Sequence, residues 1–336
     1  MFPHPSPIEP LHRLTQHLSS KSNSEQNSNV TIFIKRDDCN SGLGGGGNKV
    51  RKLEYVLADA AKQGANTLVT TGGVQSNHMR QTVAAGRRIG METVLLPQER
   101  VSNNTPSYRG LGNVQLTHLM SATHLPADAD VDSTLLDLES QGKKPYWIPS
   151  GASTHPLGGL GYARCAFEIK QQERELGLGS SGGFDVVVVP TMSGSTLGGL
   201  VAGFKAVDRP MRDVKRRLIG VLAGPKDKAD FVASILSIAR ATAALIGVPP
   251  ERITEADFEI DERWSAGEYG RLDDNTRDGV KLLASMEGVI TDPVYSGKAL
   301  TGLLEMVRRG EVVEGGRVLF LHTGGTLSVS AYEGLR

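Results

Sequence analysis

The stretch FDVVVVPTMSGSTLGGLVAGFKAV, residues 184–207, decides the fold class. It opens with a continuous apolar run, which is typical of a central strand in a parallel sheet covered on both faces. A turn of small polar residues follows, and the apolar segment from about residue 200 predicts a helix. A buried strand that passes directly into a helix indicates an α/β protein.

The same alternation extends in both directions from this stretch. Strands are predicted at 30–38, 66–73, 91–97, 184–190, 216–224 and 317–325. Helices are predicted at 53–64, 76–90 and 229–247, and a short one at 8–19. Because strands alternating with helices favour parallel pairing, we expect mainly parallel sheets. Residues 19–29 are rich in Ser and Asn and predict an exposed, mobile loop, whereas residues 100–150 show a less regular pattern.

Composition excludes several classes of protein. A length of 336 residues suggests about two domains. The 37 basic and 37 acidic side chains balance, which argues against a nucleic-acid partner. No run of 18 apolar residues predicts a membrane span, and no secretory leader is recognisable. Two cysteines make no disulfide framework and favour a reducing, cytoplasmic compartment.

Glycine is in excess, at 40 residues or about 12%, against an average near 7%. Many of these glycines lie in short clusters between apolar segments, and three glycine-containing turns, GGVQSN, TMSGST and HTGGT, follow predicted strands. Ligands of open α/β sheets bind at the carboxyl ends of the strands, so one shared site is expected there. We expect the glycines at 44–47, 194 and 324–325 to line that site.

Lys49 is the first candidate for chemistry. It follows Asn48 and the glycines at 44–47, which let backbone approach a ligand closely. A lysine placed there can contact a phosphate or form a Schiff base. A solvated surface lysine is the plain alternative, and the residue pattern leaves all three open.

A second candidate is the turn between the strand and the helix of the opening stretch, residues 193–196. It contains Ser193, Gly194, Ser195 and Thr196. Successive N–H groups and hydroxyls at a helix start suit a phosphate. The turn lacks both GxGxxG spacing and a P-loop lysine, which favours a small phosphorylated cofactor. A structural turn with no ligand is the alternative.

Ser76, Asn77 and His78 open the predicted helix at 76–90. Ser and Asn are preferred N-caps, so a capping role competes with a ligand role. For His78 a packing or surface role is also open. The chain has no HExxH segment and no CxxC pair, so a metal site has little support.

Motifs along nearly the whole chain, from about residue 7 to 332, combine into a family resemblance. They are PIEPLHRL, KRDDCNSGL, GGNKVRKLEY, TTGGVQSNHMRQ, GSTLGGLVAGF, EYG, SMEGVITDPVYSGKAL and FLHTGG. In this order they resemble the pyridoxal-phosphate enzymes of the tryptophan-synthase-β type. Within that group the chain is similar to the 1-aminocyclopropane-1-carboxylate deaminase and D-cysteine desulfhydrase family.

The resemblance implies an α/β fold of two open, twisted, mainly parallel sheets. A small domain, residues 52–160, would be inserted into a large domain made of residues 1–51 and 161–336. Pyridoxal 5′-phosphate would lie in the cleft between them. The resemblance also implies a homodimer that acts on a small amino acid.

Matching positions imply the roles of single residues. Lys49 would carry the cofactor as a Schiff base, Asn77 would bind its ring hydroxyl oxygen, and residues 193–196 would hold its phosphate. Ser296 and Thr323 would lie beside its ring. The residues implied on the substrate side are Ser76, Asn77, His78, Tyr269 and Tyr295, with Ser76 and the two tyrosines taking part in catalysis.

Three positions separate the two branches of the family. The resemblance implies that the deaminases have a DPVYEGK-like segment, with a glutamate beside the pyridine nitrogen. It also implies a leucine in their HxGG turn. This chain has Ser296 and Thr323 there, and its SNH at 76–78 is the desulfhydrase form. A carboxylate favours the protonated ring, which is the stronger electron sink. Opening a cyclopropane needs that sink more than losing a β-leaving group does.

These positions predict α,β-elimination from a small amino acid, D-cysteine desulfhydrase-like, giving pyruvate, ammonia and sulfide. Lys49 would be the base for the α-proton. The segment GSTLGGLVAGF is more deaminase-like. The alternatives are therefore an aminocyclopropanecarboxylate deaminase, a β-replacement relative and, with less support, a non-catalytic binding protein.

Overall fold

The computed structural model describes residues 1, 4–21, 29–179, 182–208 and 216–335. The strands in this part of the chain are β1 (Ile8–Pro10), β2 (Thr31–Arg36), β3 (Thr67–Gly73), β4 (Glu92–Gln98), β5 (Thr123–His124), β6 (Pro145–Ile148), β7 (Val186–Thr191), β8 (Arg217–Leu222), β9 (Glu259–Asp261) and β10 (Arg317–His322). The α-helices are α1 (His12–Lys21), α2 (Asn48–Lys62), α3 (Asn77–Arg88), α4 (Pro106–Gly110), α5 (Asn113–Leu119), α6 (Val131–Ser140), α7 (Leu160–Glu175), α8 (Ser195–Val207), α9 (Lys228–Leu245), α10 (Asp274–Glu287) and α11 (Ser296–Arg308).

The strands form two separate sheets. The larger has six strands in the order β1-β2-β10-β7-β8-β9, and the smaller has four in the order β5-β4-β3-β6. Every pairing is parallel except that of β1 with β2. The predicted α/β class with two mainly parallel sheets is therefore confirmed.

The smaller sheet takes all its strands from residues 67–148, and the larger sheet takes its strands from both sides of that segment. The large sheet is thus interrupted in sequence by a complete small sheet. The domain boundaries at 51/52 and 160/161 stay a prediction.

Both faces of the large sheet are buried, as its continuous apolar strands require. In β10, Leu319 and Leu321 pack into one apolar cluster with α7, α8 and α9. Val318 and Phe320 point the other way, into a cluster with α1 and α11. This alternation along one strand places helices on both sides of the sheet. None of the described helices is both long enough and apolar enough to span a bilayer.

The predicted helix at 8–19 is wrong over its first residues. Residues 8–10 form an edge strand, in which Ile8 pairs with Lys35 and Pro10 with Phe33. Proline has no N–H to donate, so an edge strand accepts it where a helix interior would not. The helix starts only at His12. Residues 22–28 of the predicted mobile loop lie outside the described residues, and its first residues belong to α1.

Two other helices start earlier than predicted. Helix α2 begins at Asn48 instead of residue 53, and α8 at Ser195 instead of residue 200. In both, small or polar residues occupy a first turn that an apolar pattern does not detect. The less regular segment at 100–150 contains three short helices and two short strands.

Candidate active site

One cleft collects residues that follow strands of both sheets. Its walls come from the segments after β3, β6, β7 and β10, together with the first turn of α2. The cavity measures about 190 Å³. The carboxyl ends of parallel strands meet here, as expected for a ligand site in open α/β sheets.

Lys49 lies half-buried in this cleft, in the first turn of α2. Its Nζ donates to Asn48 Oδ1 at 2.9 Å, and its backbone N–H donates to Gln81 Oε1 at 3.0 Å. Burial lowers the pKa of Lys49 to about 8; Asp292 opposes the shift and Arg80 adds to it. A larger fraction of the free amine near neutral pH is what a Schiff-base nucleophile needs.

A buried ionic cluster anchors the helix that carries Lys49. Arg51, which is fully buried, donates to Asp37 Oδ1 at 2.7 Å and to Glu168 Oε2 at 2.8 Å. Tyr162 adds a hydrogen bond to Asp37 Oδ2 at 2.5 Å, and Lys35 donates to Glu168. The positive and negative charges of this cluster are paired with each other. These pairs hold α2 against β2 and α7.

The predicted phosphate turn sits at the start of α8. Gly194 is the residue before the helix, with φ of +90°, a conformation that a side chain disfavours. Ser153 Oγ, from the loop after β6, lies 2.6 Å from Ser193 Oγ and 3.0 Å from Ser195 Oγ. Asn48 Nδ2 donates to Thr196 Oγ1 at 3.2 Å. Ser193, Gly194 and Thr196 line the cleft, and Ser195 lies behind them, fully buried.

Lys52 is a functional candidate that sequence reasoning missed. It is 1% exposed, and its Nζ donates to Ser195 Oγ at 2.7 Å. Burial lowers its pKa well below the ordinary value, and neighbouring Lys49 adds to the shift. None of the described carboxylates pairs with it, so it is a buried amine at the phosphate turn. The available signal was its spacing, since residues three apart share one helix face.

Asn77 presents a defined amide to the cleft. Asn113 Nδ2 donates to Asn77 Oδ1 at 2.8 Å, which assigns the oxygen of Asn77 to this bond. Its Nδ2 is then the atom available to an acceptor such as a ring hydroxyl oxygen. Ser76 Oγ accepts from Met79 N at 3.2 Å and caps α3. The capping role raised as an alternative for Ser76 is therefore present, and the residue also lines the cleft.

His78 is held as a neutral ring with one acceptor. Thr70 Oγ1 donates to Ile148 O at 2.8 Å and lies 2.9 Å from His78 Nε2. Nε2 must therefore carry the proton, and Nδ1 is a buried acceptor with no partner in the protein. Burial, with Lys49 and Lys52 nearby, lowers the pKa of His78 well below its usual value.

The two predicted tyrosines meet across the cleft. The hydroxyls of Tyr269 and Tyr295 are hydrogen-bonded to each other, with ring centroids 5.9 Å apart. Burial raises the pKa of both phenols, so both are protonated at neutral pH. Asp292, another residue that the sequence did not single out, accepts from Tyr295 N and Ser296 N, each at 2.7 Å, and fixes the start of α11.

Ser296 and Thr323 form one hydroxyl pair. Their oxygens are 3.1 Å apart, and Ser296 also donates to Gly324 O at 3.1 Å. Thr323 lines the cleft, whereas Ser296 is fully buried behind it. The structure thus places Thr323, and not Ser296, at the cleft surface.

The expected role of most glycines is wrong. Of those at 44–47, 194 and 324–325, only Gly194 lines the cleft. A side chain at Gly324 would approach Gly47 Cα to 2.9 Å, so two backbone segments pack together there. Arg80 donates to Gly46 O at 3.3 Å within the same packing. Close packing beneath the cleft accounts for these glycines.

The residues present fit pyridoxal 5′-phosphate, the cofactor implied by the resemblance. The amine of Lys49, the N–H groups at 194–196 with Lys52 behind them, and the Asn77 amide are the donors such a molecule needs. Two buried polar atoms in the cleft wall, His78 Nδ1 and Thr191 Oγ1, also have no protein partner. In native proteins such atoms require an explanation, which a bound polar ligand gives.

Comparisons with known proteins agree with this fit. The profile of the pyridoxal-phosphate dependent enzyme family matches residues 3–324. The 1-aminocyclopropane-1-carboxylate deaminases of Burkholderia ambifaria and Burkholderia vietnamiensis are each 44% identical, over 98% of this chain and 94% of their own length. That of Burkholderia cenocepacia is 43% identical over 98% and 95%.

Solved structures are also similar to this chain. The crystal structure of an ACC deaminase homologue superposes with a TM-score of 0.77 at 31% identity, covering 98% of this chain and 91% of that one. A cysteine synthase from Entamoeba histolytica has a TM-score of 0.64 at 15% identity, covering 98% and 88%. At that low identity the second likeness concerns the fold alone.

Proposed function

The chain belongs to the 1-aminocyclopropane-1-carboxylate deaminase and D-cysteine desulfhydrase family of pyridoxal-phosphate dependent enzymes, of fold type II, and from that premise we propose its reaction. It removes the α-proton and the β-substituent of a small amino acid. D-Cysteine is the substrate we propose: loss of sulfide and hydrolysis of the remaining C=N bond by one water molecule give pyruvate, ammonia and sulfide.

The observation that carries the proposal is the hydroxyl pair of Ser296 and Thr323. At these positions the family resemblance implies a glutamate and a leucine in the deaminases. The nearby carboxylate of Asp292 does not replace that glutamate, because it accepts three backbone N–H bonds, from residues 294, 295 and 296. Two neutral hydroxyls cannot hold a proton on the pyridine nitrogen as a carboxylate does. This wall suits the less demanding elimination.

When bound, the cofactor supplies an electron sink for the electrons of the substrate's α-carbon. The residues of the chain hold the substrate and move its protons. Lys49, with its pKa lowered to about 8, is the base that takes the α-proton. The N–H groups at the start of α3, beside Ser76, suit the substrate carboxylate. The phenols of Tyr269 and Tyr295, both protonated, suit a leaving thiolate as hydrogen-bond donors.

A second candidate is 1-aminocyclopropane-1-carboxylate deaminase activity. The relatives of that name at 43% and 44% identity, which match 98% of the chain, favour it. Under this alternative the cofactor's pyridine nitrogen would lie beside Thr323, with no neighbouring glutamate.

Substrate profiling separates the two reactions. The purified enzyme is given D- and L-cysteine, D-serine, β-chloroalanine and aminocyclopropanecarboxylate, and the release of 2-oxo acid is followed. We expect the highest kcat/KM with D-cysteine. Turnover of the cyclopropane alone would assign the enzyme to the deaminases. A product that retains nitrogen, formed when a second thiol is added, would indicate β-replacement.

A double variant tests the hydroxyl pair itself. Ser296→Glu with Thr323→Leu should shift the ratio of cyclopropane opening to elimination by about tenfold or more, because one carboxylate–pyridinium contact is worth a few kcal/mol. Ser328→Ala, whose hydroxyl donates only to Gly325 O at 2.8 Å, is a matched control. An unchanged ratio in the double variant would refute the role assigned to the pair.

A further inference from the structure

Lys298 is a buried ammonium that the proposed reaction does not use. It lies in the first turn of α11 and is fully buried. Its Nζ donates to three backbone carbonyls: Ser265 O at 2.8 Å, Ala223 O at 3.1 Å and Glu268 O at 3.5 Å. An ammonium has three N–H donors, so these oxygens account for all of them.

No carboxylate of the described residues forms an ion pair with Lys298. Burial lowers its pKa to about 8, against the opposing effects of Asp273 and Asp292. The group is therefore still charged at neutral pH, and its charge is met by carbonyl dipoles. Three oxygens that converge on one buried point would repel each other without a donor between them.

Two of the three carbonyls belong to one irregular segment, residues 265–270, which we name the tyrosine loop because it contains Tyr269. Ala266, Gly267 and Gly270 have φ values of +60°, +69° and +77°. For alanine this left-handed conformation is strained and persists only where the surroundings impose it. Within the loop Gly267 N makes one long bond, to Ser265 Oγ at 3.4 Å. The loop is therefore held from outside, by Lys298 through its backbone carbonyls and by Ser102, whose Oγ donates to the Glu268 side chain at 2.6 Å.

The third carbonyl lies where Tyr269 packs against the large sheet. Ala223 O follows the end of β8, and Gly224 is the next residue. A side chain at Gly224 would come within 3.0 Å of both Cα and Cβ of Tyr269. The ammonium therefore joins the tyrosine loop to the sheet at the contact that sets the position of Tyr269.

The other tyrosine of the pair is fixed by the same helix. Tyr295 directly precedes α11, and its backbone N–H is held by Asp292 at 2.7 Å. Lys298 follows within one turn. One helix start thus carries Tyr295 and reaches, through Lys298, the loop that carries Tyr269.

We propose that Lys298 is a positioning residue, whose three N–H donors hold the tyrosine loop so that the Tyr269 hydroxyl meets the Tyr295 hydroxyl at the cleft. The assignment of an effect on turnover rests on the proposed function, in which this pair serves the leaving group. The effect on the loop itself does not.

The first test replaces Lys298 by Met, which keeps the length and removes the donors. A Trp147→Phe background leaves Trp264 as the one tryptophan, directly before the loop. We expect kcat for D-cysteine to fall by about 10²-fold, the cost of misplacing a catalytic group by about 1 Å. Trp264 emission should shift to the red, while the cofactor's absorbance stays unchanged because Lys298 touches none of its candidate ligands. Lys205→Met, which removes an ammonium bound to Asp257, should alter none of these.

The second test is chemical rescue of Lys298→Ala. Ethylammonium, which restores an ammonium with three N–H donors, should raise kcat by about tenfold and return Trp264 emission toward the wild-type spectrum. Tetramethylammonium at equal concentration has the charge but no N–H donor and should do neither. Equal rescue by both ions would overturn the role of the donors.

Thermal unfolding makes the test independent of catalysis. If Lys298→Met does not accumulate as a folded protein, the unfolding midpoint of Lys298→Ala should rise with ethylammonium and not with tetramethylammonium. A Lys298→Met enzyme with wild-type kcat and wild-type Trp264 emission would contradict the proposal. If the wild-type enzyme does not eliminate from D-cysteine, the proposed function fails, yet the emission and unfolding measurements still decide the role of Lys298.

Discussion

The two faces of helix α2 carry cations that differ in whether the chain supplies a carboxylate partner. On one face Arg51 donates to the carboxylates of Asp37 and Glu168, each within 2.8 Å. On the other face Lys49 donates to a neutral amide, and Lys52 donates to the Ser195 hydroxyl and, at 3.5 Å, to the Gly151 carbonyl oxygen. Asp37 beside Arg51 has its pKa lowered, and that arginine's pKa is raised well above its usual value. The pKa values of both lysines are lowered.

The difference separates structure from function on a single helix. A buried charge that serves only the fold must be paired within the chain, since desolvation without a partner is costly. A buried charge that serves a ligand is left for that ligand to pair. Unpaired cations beside a helix N-terminus therefore mark where an anionic cofactor belongs.

Removing the reactive amine should have the largest effect. Lys49→Ala leaves the phosphate turn and the ion cluster in place but removes the residue proposed to serve as both the cofactor's covalent anchor and the base. We expect kcat to fall by about 10³-fold or more, because a covalent catalyst and a proton-transfer group are lost together. Loss of the cofactor's Schiff-base absorbance checks the assignment, and turnover with that absorbance retained would refute it.

Breaking the paired face should cost stability instead. Arg51→Met leaves Asp37 and Glu168 buried with one cation fewer, and we expect unfolding free energy to fall by about 3–5 kcal/mol. Urea unfolding of the purified apoprotein measures this. Arg216→Met is the matched control, because Arg216 donates to Glu173 Oε1 at 2.8 Å in another buried pair. Both variants should be destabilised, but only Arg51→Met should weaken cofactor binding; equal cofactor affinity in the two would deny that Arg51 positions α2.

The reactive face should also respond to pH. Below its pKa of about 8, Lys49 is mostly protonated, and only the free amine attacks the aldehyde. The rate at which apoprotein takes up pyridoxal phosphate should therefore rise by about tenfold per pH unit up to pH 8 and then level off. Stopped-flow absorbance gives the rate. A midpoint near the ordinary lysine value of about 10.4 would show that the cleft does not lower this pKa.

Lys52→Met should have the smallest effect. In the apoprotein, its effect on the free energy of unfolding should not share the sign of the effect of Arg51→Met. Methionine replaces a desolvated amine, so apoprotein stability should stay the same or rise. Cofactor affinity should fall by about tenfold or more, because a charge-assisted hydrogen bond is worth about 1.5–3 kcal/mol. Equilibrium dialysis with pyridoxal phosphate, set beside urea unfolding, checks both signs. A destabilised apoprotein with unchanged cofactor affinity would show that Lys52, like Arg51, stabilises the fold and does not bind the cofactor.

Much of the fold could be predicted from local sequence. The valine-rich run at 186–189, the glycine turns and the helical periodicity each identify an element from its own residues. The predictions of secondary structure were wrong where contacts with residues distant in sequence decide the conformation. Residues 8–10 follow a helical pattern, but pairing with β2 makes them a strand. The first turns of α2 and α8 contain the cleft residues, whose small or polar character gives no apolar signal.

The candidate site divides in the same way. Motif order pointed to Lys49, Asn77, the phosphate turn and the tyrosine pair, and all of these meet at one cleft. Their individual roles stay predictions. Lys52, Ser153 and Asp292 were not predicted: the spacing of Lys52 from Lys49 indicates a shared helix face, but nothing in the local sequence shows that any of the three is buried.

The sequence by itself determined the α/β class, the family and the cofactor, because periodicity and motif order are properties of the linear sequence. Only the tertiary structure decided which charges are paired. Arg51 and Lys52 are neighbours in sequence, yet one faces two carboxylates and the other faces Ser195. Pairing depends on segments more than 100 residues away, such as Glu168 and Ser195. The energy of a buried charge is set by those spatial neighbours, and no local pattern records them.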